Sequence, residues 1–80
     1  MELKNKIAVV TGGAGGIGAA VCQALASKGA RVVVSDLDLN AAQAVADKIA
    51  GTAIQCDVSN EDAIVKMINH VESELGTIDL

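Results

Sequence analysis

Ile7-Ala8-Val9-Val10-Thr11-Gly12-Gly13-Ala14-Gly15-Gly16-Ile17-Gly18 passes from a β-branched apolar run straight into a cluster of glycines. Ile7 to Val10 is too short for a helix and shows no polar alternation, which predicts a strand buried on both faces. Five of the chain's eight glycines fall between Gly12 and Gly18. A turn built from them needs backbone conformations with positive φ, and a bound pyrophosphate needs N–H groups that no Cβ screens. A helix beginning near Gly16 aims its free N–H groups and the positive end of its dipole into the same space, which makes an anion site. Gly13, Gly15 and Gly18 also satisfy GxGxxG, a weak pattern alone that gains weight between a strand and a helix. A glycine-rich turn with no ligand is the bland alternative. No Gly-Lys-Ser/Thr follows, so a P-loop is excluded.

Outward from this segment the chain alternates regularly. Ile17, Val21, Ala24 and Leu25 draw a stripe on the first helix, which Gly29 ends. Val32-Val33-Val34 forms a second buried strand closing at Ser35-Asp36. Asp38 or Asn40 caps the next helix, whose inward stripe is Ala42, Val45, Ala46 and Ile49, with Gly51 at its end. Ala53-Ile54-Gln55-Cys56 is a third strand. Ser59 and Asp62 form a near capping box for a third helix carrying Ile64, Ile68, Val71 and Leu75, which stops at Gly76. Ile78-Asp79-Leu80 opens a fourth strand. Connections this short mean parallel strands joined by right-handed crossovers, and apolar strands need helices on both faces. The expected fold is α/β: a partial, Rossmann-type doubly wound parallel sheet of three strands, three helices and a fourth-strand stub. In that order the first strand lies between the second and the fourth. Most of one edge of Ile7–Val10 is therefore expected to lack a partner and to template self-association.

Composition narrows the function classes. Eighty residues hold at most one small domain, against roughly 100–200 per typical domain. With 51% hydrophobic and 20% charged residues the chain is not of disordered composition. No apolar run approaches the roughly 18 residues of a membrane span, and no secretory cleavage pattern follows Met1. A net charge of −4 and the absence of aromatic residues argue against a nucleic-acid partner. Cys22 and Cys56, 34 positions apart, offer neither a disulfide framework nor zinc-ligand spacing. They read as small buried hydrophobes in a reducing cytoplasm.

Asp36 stands at the carboxyl end of the second strand, about 20 residues past the glycine turn, where a carboxylate can accept from both ribose hydroxyls and repel a 2′-phosphate. Asp38 is a nearby rival, and either can be an ordinary turn or cap aspartate. Asp57 and Val58 follow the third strand and open at the same edge of the sheet. Asp57 can accept from an adenine amino group or simply close a loop. His70 lies off the apolar stripe and reads as a solvated helix position, as do Glu61, Asp62, Glu72 and Glu74. No metal site is expected.

Thr11-Gly12-x-x-x-Gly16-Ile17-Gly18, then Asp36, then Asp57-Val58 resemble the amino-terminal part of the short-chain dehydrogenase/reductase family, over essentially all 80 residues. The resemblance implies that Gly12, Gly15, Gly16 and Ile17 hold the pyrophosphate and the region near the nicotinamide. Gly18 lets the helix pack closely on the strand. Asp36 and Leu37 hold the adenosine ribose, and Asp57 with the Val58 backbone holds the adenine. NADP-preferring members commonly carry a basic residue where this sequence has Gly15 or Leu37, so the implied cofactor is NAD. Family members continue past a stretch like Ile78-Asp79-Leu80 into an Asn-Asn-Ala-Gly segment and a Ser, Tyr and Tyr-x-x-x-Lys group. None of these lies within the 80 residues, which contain no tyrosine.

The expectation is thus residues 1–80 as the NAD(H)-binding portion of an oxidoreductase, ending before the catalytic half and inactive alone, with no catalytic residue among them. The parent moves a hydride between NAD and a secondary alcohol or ketone, and is expected to be a homo-oligomer. The alternatives are a stand-alone module that binds NAD or an adenine nucleotide without turnover, and a structural fragment that needs complementation.

Overall fold

The structure is a computed structural model and describes residues 2–80. Its elements run β1 (Ile7–Thr11), α1 (Gly16–Ser27), β2 (Arg31–Asp36), α2 (Leu39–Ile49), β3 (Thr52–Gln55) and α3 (Glu61–Glu74). The strands form one parallel sheet in the order β1-β2-β3, with Val9 opposite Val33 and Val34 opposite Ala53. Both faces of the β-branched strands are covered, as the lack of alternation requires. On one face Val32 and Val34 pack with Cys22, Ala42, Val45 and Ala46 from α1 and α2. On the other, Ile7 and Val33 pack with Cys56 and with Met67 and Val71 of α3. The two cysteines are free and buried. No helix among the described residues is long and apolar enough to cross a membrane.

Two apolar stripes have a different phase from the one the spacing predicts. On α1, Ile17 is 86% exposed and Val21 42%, while Cys22 is fully buried beside Ala19, Leu25 and Ala26. The reason lies at Gly18, where the helix comes so close to the preceding turn that an added Cβ would overlap the Gly12 carbonyl oxygen. Gly18, Cys22 and Leu25 share one face at helical spacing, so this contact turns that face to the sheet. On α3, Met67 joins Val71 in the core and Ile68 is displaced to the rim, Ile64 and Leu75 remaining half-buried. Both phases satisfy the same periodicity; only packing selects between them.

The caps resolve two choices. Asp38, not Asn40, caps α2, its Oδ1 accepting from the Ala41 N–H at 3.1 Å. Asn60, not Ser59, caps α3, accepting from the Ala63 N–H at 3.2 Å.

The expected bare edge of β1 is largely covered. The Ile7 carbonyl accepts from the Asp79 and Leu80 N–H groups, the Leu80 carbonyl accepts from the Val9 N–H, and Asp79 Oδ2 accepts from the Ile7 N–H at 2.9 Å. Residues 78–80, expected to open a fourth strand, form none in this three-stranded sheet, yet they satisfy Ile7 and one of the two outward groups of Val9. Alternation along β1 leaves the Val9 carbonyl and the Thr11 N–H and carbonyl as its remaining outward groups.

Candidate functional site at the carboxyl edge of the sheet

Parallel strands bring the residues after β1, β2 and β3 to one edge, which is where ligands of open α/β sheets bind. Here that edge gathers the glycine turn, Asp36-Leu37 and Asp57-Val58.

The glycines divide by what the chain itself requires of them. Gly12 adopts φ +66° and makes the turn possible, and it alone of the five in the cluster has positive φ. Gly13 is buried, and a Cβ there would lie 2.8 Å from Val34 Cγ1 and 3.3 Å from Cys22 Sγ. Gly18 is fixed by the close approach to Gly12. Gly15 and Gly16 are different. A Cβ on Gly16 would meet nothing within 4 Å, and one on Gly15 only the Gly12 carbonyl oxygen at 3.5 Å. Both are exposed. Their missing side chains open space outside the fold, in front of the first turn of α1.

That first turn is also short of partners. Asp38 and Asn60 cap α2 and α3, but Gly15 provides no side-chain cap for α1, and no acidic residue stands in its first turn. The Ala19 N–H is the first in α1 with a backbone acceptor, the Gly15 carbonyl at 2.7 Å. The N–H groups of Gly16 and Ile17, without a backbone acceptor among the described residues, stand at the positive end of the helix dipole beside the space that Gly15 and Gly16 leave open.

Asp36 ties this turn to β2. Its Oδ2 accepts from the Ala14 N–H at 3.1 Å and its Oδ1 from the Asp38 N–H at 3.1 Å. These backbone donors, Asp38 first and Ala14 next, hold the carboxyl below its ordinary value, so it is ionised at neutral pH. The capping role of Asp38 leaves Asp36 as the carboxylate that faces the turn. Asp57 closes a local loop, its Oδ1 accepting from the Ser59 hydroxyl at 2.6 Å and the Ser59 N–H at 2.9 Å. The Ser59 hydroxyl is the larger cause of its lowered pKa. Three apolar side chains border the edge in the open: Ile17, Leu37 at 63% exposure and Val58 at 55%.

One contributor escaped the sequence: Ala14 acts through its backbone N–H, which no side-chain signal marks. Cys22, the small buried hydrophobe that the sequence suggests, packs beneath the turn with Sγ 4.0 Å from the Gly13 carbonyl, and burial pushes its thiol pKa up. The Asp-x-Ser spacing of residues 57–59 was the available signal for the Asp57 loop. His70 and the carboxylates of Glu61, Asp62, Glu72 and Glu74 are on exposed helix positions. No cluster of metal-ligating side chains occurs among the described residues. A wide, open concavity lined by Glu2, Lys4, Ser27, Lys28 and Gly29 lies at the opposite, amino end of the strands.

Chemically, the carboxyl edge offers an anion-binding helix terminus, a fixed carboxylate that accepts hydroxyls, and exposed apolar side chains able to flank a ring. Residues 6–80 match the family model described as short chain dehydrogenase. Tropinone reductase-like 2 of Erythroxylum coca is 39% identical over 81 residues, covering 99% of this chain and 30% of that protein. A short-chain type dehydrogenase/reductase from Mycobacterium marinum superposes with TM-score 0.90 at 42% identity, over 98% of this chain and 33% of that one. A protein of Brucella melitensis 16M named ribose-5-phosphate isomerase superposes with TM-score 0.94 at 37% identity, over 98% and 30%. Its name describes another reaction, and a shared fold does not carry an activity with it. The chain spans about a third of the length of each of these proteins.

Proposed function

Because the chain belongs to the short-chain dehydrogenase family of oxidoreductases, we propose that residues 1–80 are the portion that holds NAD for such an enzyme. What carries this reading is the uncapped first turn of α1 behind Gly15 and Gly16, whose absent side chains leave the room a pyrophosphate needs. The backbone around Gly12, Gly15, Gly16 and Ile17 would hold the pyrophosphate, with Gly18 keeping the helix close behind it. Asp36 and Leu37 would hold the adenosine ribose. Asp57, whose Oδ2 is not used by Ser59, and the Val58 backbone would hold the adenine.

NAD, when bound, supplies the hydride chemistry; these residues bind and orient it, which is the protein's usual share of cofactor catalysis. The ionised Asp36 favours NAD over NADP, since a 2′-phosphate beside it meets a like charge and neither Gly15 nor Leu37 is a cation. The parent's substrate is a secondary alcohol or ketone. Tyrosine-dependent proton transfer falls outside this chain, which has no tyrosine.

Amide chemical-shift mapping during NAD titration tests the assignment. Perturbations are expected at 12–18, 36–37 and 57–58. Perturbations gathered instead around Lys4 and Lys28, at the other end of the sheet, would contradict it.

A further inference from the structure

We infer that Asp36 is a positioning residue for the glycine turn as well as the acceptor for a sugar, so that ribose recognition and phosphate affinity are mechanically joined. The inference rests on the nucleotide-binding reading above for its ligand, but not for its geometry.

Few bonds fix the turn. Within itself it has the Gly15 N–H to the Gly12 carbonyl at 3.2 Å. Two consecutive N–H groups anchor it to β2: Gly13 to the Ser35 carbonyl at 3.0 Å, and Ala14 to Asp36 Oδ2 at 3.1 Å. The second anchor is a side chain, and that side chain is itself held, because Oδ1 accepts from the Asp38 N–H. The carboxylate is thus clamped between the start of the α2 connection and the turn. A carboxylate has about four lone-pair positions, so the two engaged here leave about two for hydroxyls.

Removing the side chain frees Ala14 and leaves the turn on one main-chain anchor. It also removes a negative charge near the anion site, which by itself favours phosphate. These effects oppose each other in Asp36→Ala, but Asp36→Asn and Asp36→Ala are equally neutral. Asparagine keeps one acceptor oxygen for the two N–H donors, Ala14 and Asp38, whereas alanine keeps none. Ala14 exchange shows which donor that oxygen takes.

The probe is inorganic pyrophosphate, which has no ribose, together with amide exchange at Ala14 in the ligand-free chain. Ala14 exchange should accelerate in Asp36→Ala. Where the Asp36→Asn oxygen takes Ala14, exchange returns towards the parent rate and pyrophosphate binds about three- to tenfold more tightly than to Asp36→Ala, the range expected for one neutral hydrogen bond. Unchanged Ala14 exchange in Asp36→Ala, or equal pyrophosphate affinity while Asp36→Asn protects Ala14, overturns the tie. If no form binds pyrophosphate, the nucleotide reading and with it the joining of the two functions fail, while Ala14 exchange still decides whether Asp36 holds the turn. If Asp36→Ala does not fold, the scalar coupling across the Ala14 N–H···Oδ2 bond of the unmutated chain decides instead: a measurable coupling supports the tie and its absence overturns it.

Discussion

Gly16→Val separates what the fold needs from what a ligand needs. A Cβ at Gly16 meets nothing within 4 Å outside its own helix, and its φ is outside the left-handed region, so the fold does not require a glycine there. Valine exceeds glycine in helix propensity by up to about 0.5 kcal/mol, so the melting midpoint should hold or rise slightly. The positive φ that the glycine turn requires falls on Gly12, not on Gly16. The branched side chain instead fills the space before the Gly16 and Ile17 N–H groups. Each hydrogen bond to a charged group is worth about 1.5–3 kcal/mol, so losing two costs about 3–6 kcal/mol. At 1.36 kcal/mol per decade that is at least about a hundredfold in affinity. Calorimetric titration with NAD reads the loss, and far-UV circular dichroism verifies the helices. Gly18→Ala is the contrasting control. Its Cβ would overlap the Gly12 carbonyl oxygen and lie 2.9 Å from Gly13 Cα, so the backbone must move and the melt should fall. Such overpacking costs about 1–3 kcal/mol. A folded Gly16→Val chain that binds NAD as tightly as the parent would show that the cluster is a plain turn.

Stability should fall on acidification, because the lowered pKa values of Asp36 and Asp57 mean that folding favours their charged forms. That contribution is complete above the unfolded carboxyl value of about 3.9 and disappears as pH drops through the lower folded values. Melts from pH 7 to 2 should steepen below about pH 4, and Asp36→Ala or Asp57→Ala should flatten the decline; identical profiles in all three would contradict it. The 80-residue chain should show no alcohol oxidation or ketone reduction on a broad panel, and a protein-dependent rate of NADH formation that survives repurification would refute this. Small domains bury only about 60% of their unfolded surface, so the free chain should melt below about 65 °C. NAD at a hundred times its Kd should add about 2.7 kcal/mol by mass action, and a midpoint unmoved by NAD would count against binding.

Fold class was legible because β-branched runs too short for helices alternate with amphipathic segments at short spacing, and that pattern allows only parallel strands. The edge where the site lies followed from the same topology. Helix phase was less legible. Ile17 and Val21 fit an inward stripe on α1 until Gly18, a residue with no side chain to count, turns another face to the sheet. Met67 and Ile68 are adjacent and both apolar, so periodicity cannot choose between them. The covering of β1 was missed because three residues too few to count as a strand still pair with it, through the main chain of Asp79 and Leu80 and through the Asp79 side chain on the Ile7 N–H. The tie between Asp36 and Ala14 involves a backbone donor 22 positions away and leaves no mark on composition or period.

The most direct measurement is the affinity of the unmutated chain for NAD and for NADP in parallel titrations, with Asp36→Ala beside it. An anionic Asp36 against the adenosine ribose predicts that NAD binds more tightly by about tenfold or more, the scale of a hydrogen bond to a charged group. It also predicts that the gap narrows in Asp36→Ala. NADP binding equal to or tighter than NAD in the unmutated chain would contradict the account.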